Sequence, residues 1–195
     1  MSQSLICLDI GNQNIHIIQG KYNKNSLTVR DAMECPIPEG VFKDGRIEDF
    51  EALRQIIRRS LSSNKIKGKN AVITTQSTSV ITRDILLPVV ERKQLDNMVK
   101  YEIEQYLPIV ASEYVVEYSV TGEVIEDGIS KYRVQVAAMP KNMVENFASL
   151  LSECGLKTVA LDLHSNAVAK LFSQTVSING EVFDSDKTIA FVDLG

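Results

Sequence analysis

Leu5-Ile6-Cys7-Leu8-Asp9-Ile10-Gly11-Asn12-Gln13-Asn14 decides how the rest of the chain is read. The apolar run Leu5 to Leu8 reads as a buried strand, and the Gly-containing polar stretch after it reads as a tight turn. Ile15 to Gln19 is again apolar-rich, so the turn joins two strands. An Asp that closes a strand just before such a turn suits phosphate and metal chemistry. Glycine lets backbone N–H groups approach an anion closely. The carboxylate can hold Mg²⁺, usually through water, because Mg²⁺ gives up its waters reluctantly. A lone Asp-x-Gly is also what a plain hairpin turn would choose. The pattern returns at the far end, where the apolar strand Thr188 to Val192 runs into Asp193-Leu194-Gly195. Two copies, each closing an apolar strand, count against coincidence.

Working outward, Ser26 to Cys35 alternates partly and reads as a third strand, ended by Pro36-Ile37-Pro38-Glu39-Gly40. Three consecutive strands suit an antiparallel meander. Asp49 is a plausible N-cap for a helix whose apolar face is Phe50, Leu53, Ile57 and Leu61. Ala71-Val72-Ile73-Thr74 reads as another buried strand. The elements then change character. Ser79 to Leu87 reads as a strand stopped by Pro88, and Glu91 to Leu107 as an amphipathic helix stopped by Pro108. Tyr114 to Val124 and Ile129 to Met139 read as strands around the turn Glu126-Asp127-Gly128. Asn142 with Glu145 reads as a capping box, and Gly155-Leu156 as a helix stop. Val159-Ala160-Leu161 reads as a strand, Ser165 as the cap of a short helix, and Ser173 to Lys187 as a polar connector. The order is βββαβ, then an inserted βαββ piece, then αβα, then one strand. It implies a mixed α/β sheet covered by helices.

Composition excludes several classes. The chain has 195 residues, room for one domain or two small ones at about 150 residues each. Apolar residues are 44% and charged residues 24%, as in globular proteins. A formal charge of −4 gives no electrostatic reason to expect nucleic acid or an anionic membrane surface. No apolar run approaches the roughly 18 to 20 residues of a membrane helix, and Met1-Ser2-Gln3-Ser4 has no basic secretory region. Cys7, Cys35 and Cys154 are far apart, which rules out a full disulfide framework and suits a reducing compartment. With only His16 and His164, neither zinc chemistry nor a Ser-His-Asp triad has support. Lys65, Lys67 and Lys69 read as a solvated loop. Asp96, Glu102, Glu104, Glu113 and Glu117 read as surface charge.

The order of elements and the paired Asp-x-Gly turns resemble the actin-like ATPase superfamily: actin, FtsA, the heat-shock chaperone ATPases and sugar kinases. Within it the chain most resembles the PilM family of type IV pilus assembly. The matching stretches are Leu8-Asp9-Ile10-Gly11, Pro38-Glu39-Gly40-Val41 with Asp44-Gly45-Arg46-Ile47, and Ile81-Thr82-Arg83-Asp84-Ile85-Leu86-Leu87-Pro88. Tyr101-Glu102-Ile103-Glu104-Gln105-Tyr106-Leu107-Pro108, Gly155-Leu156 and Val192-Asp193-Leu194-Gly195 continue the match. The resemblance implies an α/β fold: an actin-like, ribonuclease H-like lobe with a mixed five-stranded sheet and helices, plus an inserted β-α-β-β module. It divides the chain into residues 1–78 with 139–186 as the main subdomain, 79–138 as the insert, and 187–195 as the first strand of a second lobe. The chain is then the first lobe of a longer protein.

The resemblance also implies ATP and Mg²⁺ between two lobes of the full-length protein, with binding weak or absent in this first lobe alone. Asp9, Gly11, Asn12, Gln13, Asn14, His16, Asp193 and Gly195 are the cofactor-side residues it points to, with Asp9 holding Mg²⁺ through water. His16 stands where relatives often carry a lysine. Asp162-Leu163-His164-Ser165 falls near the hinge between lobes. The implied partner is the N-terminal tail of a PilN-like inner-membrane protein, in a groove between the main lobe and the insert. Ile85, Leu86, Leu87, Tyr101, Tyr106 and Leu107 are candidates for the insert's wall of that groove, and equally for the insert's own core. The resemblance places the protein in the cytoplasm, peripheral to the inner membrane through its partner, with weak or no ATPase activity and with oligomers possible. The alternatives are a small-molecule kinase of the same superfamily and an FtsA-like cell-division protein.

Overall fold

Eight apolar-rich residues, Gln3–Ile10, form strand β1, and the turn after them returns the chain as β2 (Asn14–Asn23). β3 (Ser26–Pro36) completes the meander. A computed structural model describes residues 3–23, 26–106, 110–172, 177–178, 180–182, 184 and 190–192. A small hairpin follows the meander, β4 (Phe42–Lys43) with β5 (Arg46–Ile47), then helix α1 (Phe50–Ser63) and strand β6 (Asn70–Thr75). Next come β7 (Ile81–Pro88), α2 (Arg92–Tyr106), one 3₁₀ turn at Ala111–Glu113, β8 (Tyr114–Glu126) and β9 (Ile129–Pro140). The chain continues through α3 (Lys141–Glu153), β10 (Lys157–Leu163), α4 (His164–Phe172), β11 (Ser177–Ile178) and β12 (Glu181–Val182).

The chain divides into two compact units, residues 1–76 with 148–195, and residues 77–147. In the first, five strands lie in the order β10-β6-β1-β2-β3. β10, β6 and β1 are parallel, and β1, β2 and β3 antiparallel, so the sheet is mixed. Alternation sorts β1. Ile6, Leu8 and Ile10 are buried, whereas Cys7 is exposed. Ile15, Ile17, Ala71 and Ile73 are buried on the neighbouring strands, and α1 buries Leu53 and Ile57. Asp49 caps α1, its Oδ1 accepting from the Ala52 N–H at 2.9 Å.

In the second unit the sheet order is β7-β9-β8, all antiparallel. Leu95, Val99 and Ile103 of α2 pack on Leu87, Val134 and Val136. Tyr118 donates its hydroxyl to Asp96 Oδ1 at 2.5 Å, and the Arg92 guanidinium lies 6.0 Å from its ring centre. Asp127 (φ 53°) and Gly128 (φ 76°) make the two-residue turn between β8 and β9, the left-handed geometry that Asp-Gly suits.

Three expectations are corrected. Asn142 and Ser165 are not caps: α3 starts at Lys141 and α4 at His164, so both lie inside a first turn. The reason is that β9 and β10 run into their helices without a loop. Asn142 Oδ1 accepts instead from the Met143 N–H, and Asp162, at the end of β10, bonds Leu163 N–H and Asn166 Nδ2. The polar connector contains the short hairpin β11–β12. In the expected strand Thr188 to Val192, residues 190–192 are not strand, and the other two positions lie outside the described residues.

Leu8 and Leu53 are fully buried, at 0% exposure each. Truncating either to Ala should cost about 3 kcal/mol, a cavity term added to the lost transfer free energy. A urea titration reads this as a lower midpoint with an unchanged slope, and a loss under about 1 kcal/mol would contradict the packing.

Candidate functional site

The parallel strands β1, β6 and β10 end at one edge of the sheet. Their register places Asp9 opposite Thr74 and Thr74 opposite Asp162. Across the meander, His16 is opposite Asp9 and Glu34 is opposite His16. One row therefore reads Glu34, His16, Asp9, Thr74, Asp162, on the face opposite the buried Leu8 and Ile10. The Thr74 hydroxyl donates to Asp9 Oδ1 at 2.7 Å. The other carboxylate oxygen lies 3.5 Å from His164 Nδ1 and 4.0 Å from His16 Nδ1. His16 Nε2 lies 3.9 Å from Glu34 Oε1. The Asp9 side chain is 35% exposed, so it is held in place yet reachable from solvent.

The turn after β1 is tied down at three points. Gly11 N–H donates to Asn14 C=O at 3.0 Å. Ile37 N–H donates to Gln13 C=O at 2.6 Å. Asp44 N–H donates to Asn12 Oδ1 at 2.9 Å. A Cβ on Gly11 would meet the Asn14 carbonyl oxygen at 3.4 Å, so a small residue suits this close turn. Among the described residues, the backbone N–H groups of Asn12 and Gln13 have no acceptor. Two consecutive donors beside a partly exposed carboxylate can receive a phosphate and its Mg²⁺. The donor set fits Mg²⁺ held through water. Among the described residues, no group of three His, Cys, Asp or Glu side chains is placed to hold a metal directly.

At the end of the row, burial acts to raise the Asp162 pKa. Hydrogen bonds from Lys170 Nζ at 2.7 Å, Asn166 Nδ2 at 2.6 Å and Leu163 N–H at 2.9 Å outweigh it and hold the carboxyl below its usual value. Cys154 offers no nucleophile, because burial pushes its thiol up to about 11.

The structure thus gathers Asp9, Gly11, Asn12, Gln13, Asn14 and His16 at one edge. Asp193 and Gly195 lie outside the described residues. Thr74 and Asp44 were not singled out as site residues. Thr74 is legible only through the β1–β6 register, and Asp44 only through a hairpin two residues long. On the insert's wall, Leu87 is 3% exposed and belongs to the module's own core, against which Ile85 packs. Leu86 (38% exposed) alternates with Leu87 and points away from α2, whereas Tyr101 (57% exposed) is on α2, so the two do not share one wall. Tyr106 ends α2, and Leu107 lies outside the described residues.

The family model for type IV pilus assembly protein PilM matches residues 7–195. The chain belongs to this family. A solved structure titled as the PilM-PilN type IV pilus biogenesis complex matches with a TM-score of 0.75 and 24% identity. The match covers 87% of this chain and 50% of that one, so the chain spans about half the length of this relative. The cytoplasmic domain of EpsL, an inner-membrane component of the type II secretion system of Vibrio cholerae, matches with a TM-score of 0.54 and 13% identity. That match covers 82% of this chain and 57% of the other. The fold shared with these structures is mixed α/β, built on a mixed five-stranded sheet. Among the described residues, no helix is long and apolar enough to cross a membrane.

Because its folded pKa is depressed, Asp162 stabilises the fold above its unfolded pKa and loses that contribution as pH falls through the folded value. Asp162→Asn should cost about 1 kcal/mol at pH 7, a partly exposed ion pair and two hydrogen bonds being weakened. The gap to the unmodified chain should narrow as pH falls from about 5 toward 2. Thermal unfolding across that range checks it, and a pH-independent gap would contradict the assignment.

Proposed function

We propose that this chain is the first lobe of an actin-like scaffold of type IV pilus assembly. It binds Mg·ATP at the β1–β2 turn, between two lobes, and captures the N-terminal tail of a PilN-type membrane protein. The observation that carries the nucleotide half is Asp9, fixed by Thr74 at 2.7 Å beside a turn with two free N–H donors. When bound, Mg²⁺ would neutralise charge on the terminal phosphates. Asp9 would hold a water of that ion, and Thr74 would keep the carboxylate aimed. The N–H groups of Asn12 and Gln13 would take phosphate oxygens. His16 stands where relatives often carry a lysine, and the reading is of a nucleotide-binding scaffold with weak or no ATPase activity. On this reading Asp193 and Gly195 belong to the facing phosphate turn.

The partner half rests on family membership and on a structural match whose title names a PilM-PilN complex. Within the insert, β7 is an edge strand, with Leu86 exposed beside its unpaired backbone. An extended peptide could add to such an edge and seat apolar side chains against it. Tyr101 and Tyr106 of α2 remain candidates for the same partner, as does Leu107, which lies outside the described residues. On this reading the protein works in the cytoplasm, at the inner membrane through its partner.

Calorimetric titration of the two-lobe chain tests both halves. Mg·ATP should bind saturably, and Asp9→Asn should weaken it about tenfold, equivalent to about 1.4 kcal/mol. A PilN-type N-terminal peptide should bind saturably, and Leu86→Asp should abolish that while leaving the fold intact. Unchanged ATP affinity in Asp9→Asn would remove the carboxylate from the site, and unchanged peptide affinity in Leu86→Asp would remove β7.

A further inference from the structure

The Asp44-Gly45 motif supplies one of the three ties that hold the turn after β1. It forms the tip of the β4–β5 hairpin, with Phe42 opposite Ile47 and Lys43 opposite Arg46. Asp44 (φ 48°) and Gly45 (φ 75°) are both left-handed, as a two-residue turn of this hand requires. A hairpin of two-residue strands has little stability of its own, and this one is anchored elsewhere. Val41 and Phe42 are buried, and Val41 C=O accepts from both Glu48 and Asp49 N–H, at 2.9 and 3.1 Å. Asp49 in turn caps α1. The tip is therefore fixed to the core and to the start of a helix. Gly45 is buried although it lies at a hairpin tip. From this fixed tip Asp44 N–H reaches 32 residues back along the chain to Asn12 Oδ1, in the turn after β1.

This bond commits one end of the Asn12 side chain. With Oδ1 occupied by Asp44 N–H, the amide is oriented and its Nδ2 remains the donor. We propose that the Asp44-Gly45 tip is a positioning element for the phosphate turn. It fixes Asn12 so that its Nδ2 and the N–H groups of Asn12 and Gln13 are pre-set for the oxygens of a nucleoside triphosphate. The inference rests on the nucleotide reading above. Its physical content is preorganisation: a turn already held in the bound geometry loses less freedom when the anion arrives. The tip touches the turn through the Asp44 backbone N–H, so the positioning depends on the left-handed backbone at Asp44 and Gly45.

The experiment is a double-mutant cycle in the two-lobe chain, reading Kd for Mg·ATP and for adenosine. Asn12→Ala removes the acceptor, and Gly45→Ala strains the tip. Gly45→Ala should weaken Mg·ATP about tenfold and leave adenosine within about twofold, because only the phosphates meet the turn. The double variant should be no worse than Asn12→Ala alone, as for residues acting through one contact. Should Gly45→Ala fail to fold, Asp44→Gly loosens the tip while keeping the donor and should cost ATP several-fold with adenosine unchanged. Additive losses, equal losses for ATP and adenosine, or no loss in any tip variant would each overturn the positioning role. Absence of Mg·ATP binding by the unmodified chain would instead overturn the nucleotide reading, and this inference with it.

Discussion

The parallel register of β1 and β6 sets Asp9 against Thr74, and the hydroxyl bond between them, 2.7 Å long, is where core and candidate site meet. A slip by one residue would turn Leu8 and Ile10 to the other face and drive Asp9 into the apolar layer. Burying an unpaired carboxylate there is far costlier than any local gain. The same alternation that buries Ile6, Leu8 and Ile10 therefore leaves the carboxylate at the open edge. Core packing holds the register, and the register aims the site. Thr74 does for Asp9 what a bare surface position could not, since it removes the freedom of one carboxylate oxygen.

The turn after β1 follows the same logic. The Asn14 and Gln13 carbonyls and the Asn12 Oδ1 accept from the Gly11, Ile37 and Asp44 N–H groups, while among the described residues the N–H groups of Asn12 and Gln13 have no acceptor. Three acceptors are engaged and two consecutive donors are not, which is the polarity an anion needs. The β10 end of the row is closed differently. Asp162 spends its oxygens on Leu163 at the end of β10 and on Asn166 and Lys170 in the first and last turns of α4, which makes it a structural carboxylate. Two acids stand one strand apart from Thr74, and their hydrogen-bond partners assign them opposite work.

Long periodic elements were legible in the sequence. β1 through β3, α1 with its Asp49 cap, α2 and the β8–β9 hairpin with its Asp-Gly turn stand where apolar spacing and turn chemistry place them. Boundaries were harder. Asn142 and Ser165 carry good capping chemistry, yet the strands before them run straight into helix, so the cap position falls earlier. The β4–β5 hairpin is too short to show a period, and its role depends on a contact 32 residues away. For the site, residues of one turn could be read together because they are consecutive. Thr74 could not, because its place beside Asp9 is set by strand order. The insert's apolar residues were ambiguous for a different reason: period alone does not say which face of β7 meets α2. Burial of Leu87 and exposure of Leu86 decide that.

The central claim is that the turn at residues 11–14 is the part of this lobe that meets nucleotide phosphate. Amide ¹H–¹⁵N spectra of the two-lobe chain during a Mg·ATP titration address it directly. The account predicts that Gly11, Asn12 and Gln13 shift saturably, with Thr74 following and the β8–β9 tip at Asp127 unmoved. Saturable shifts elsewhere with the Gly11, Asn12 and Gln13 amides unchanged would contradict it.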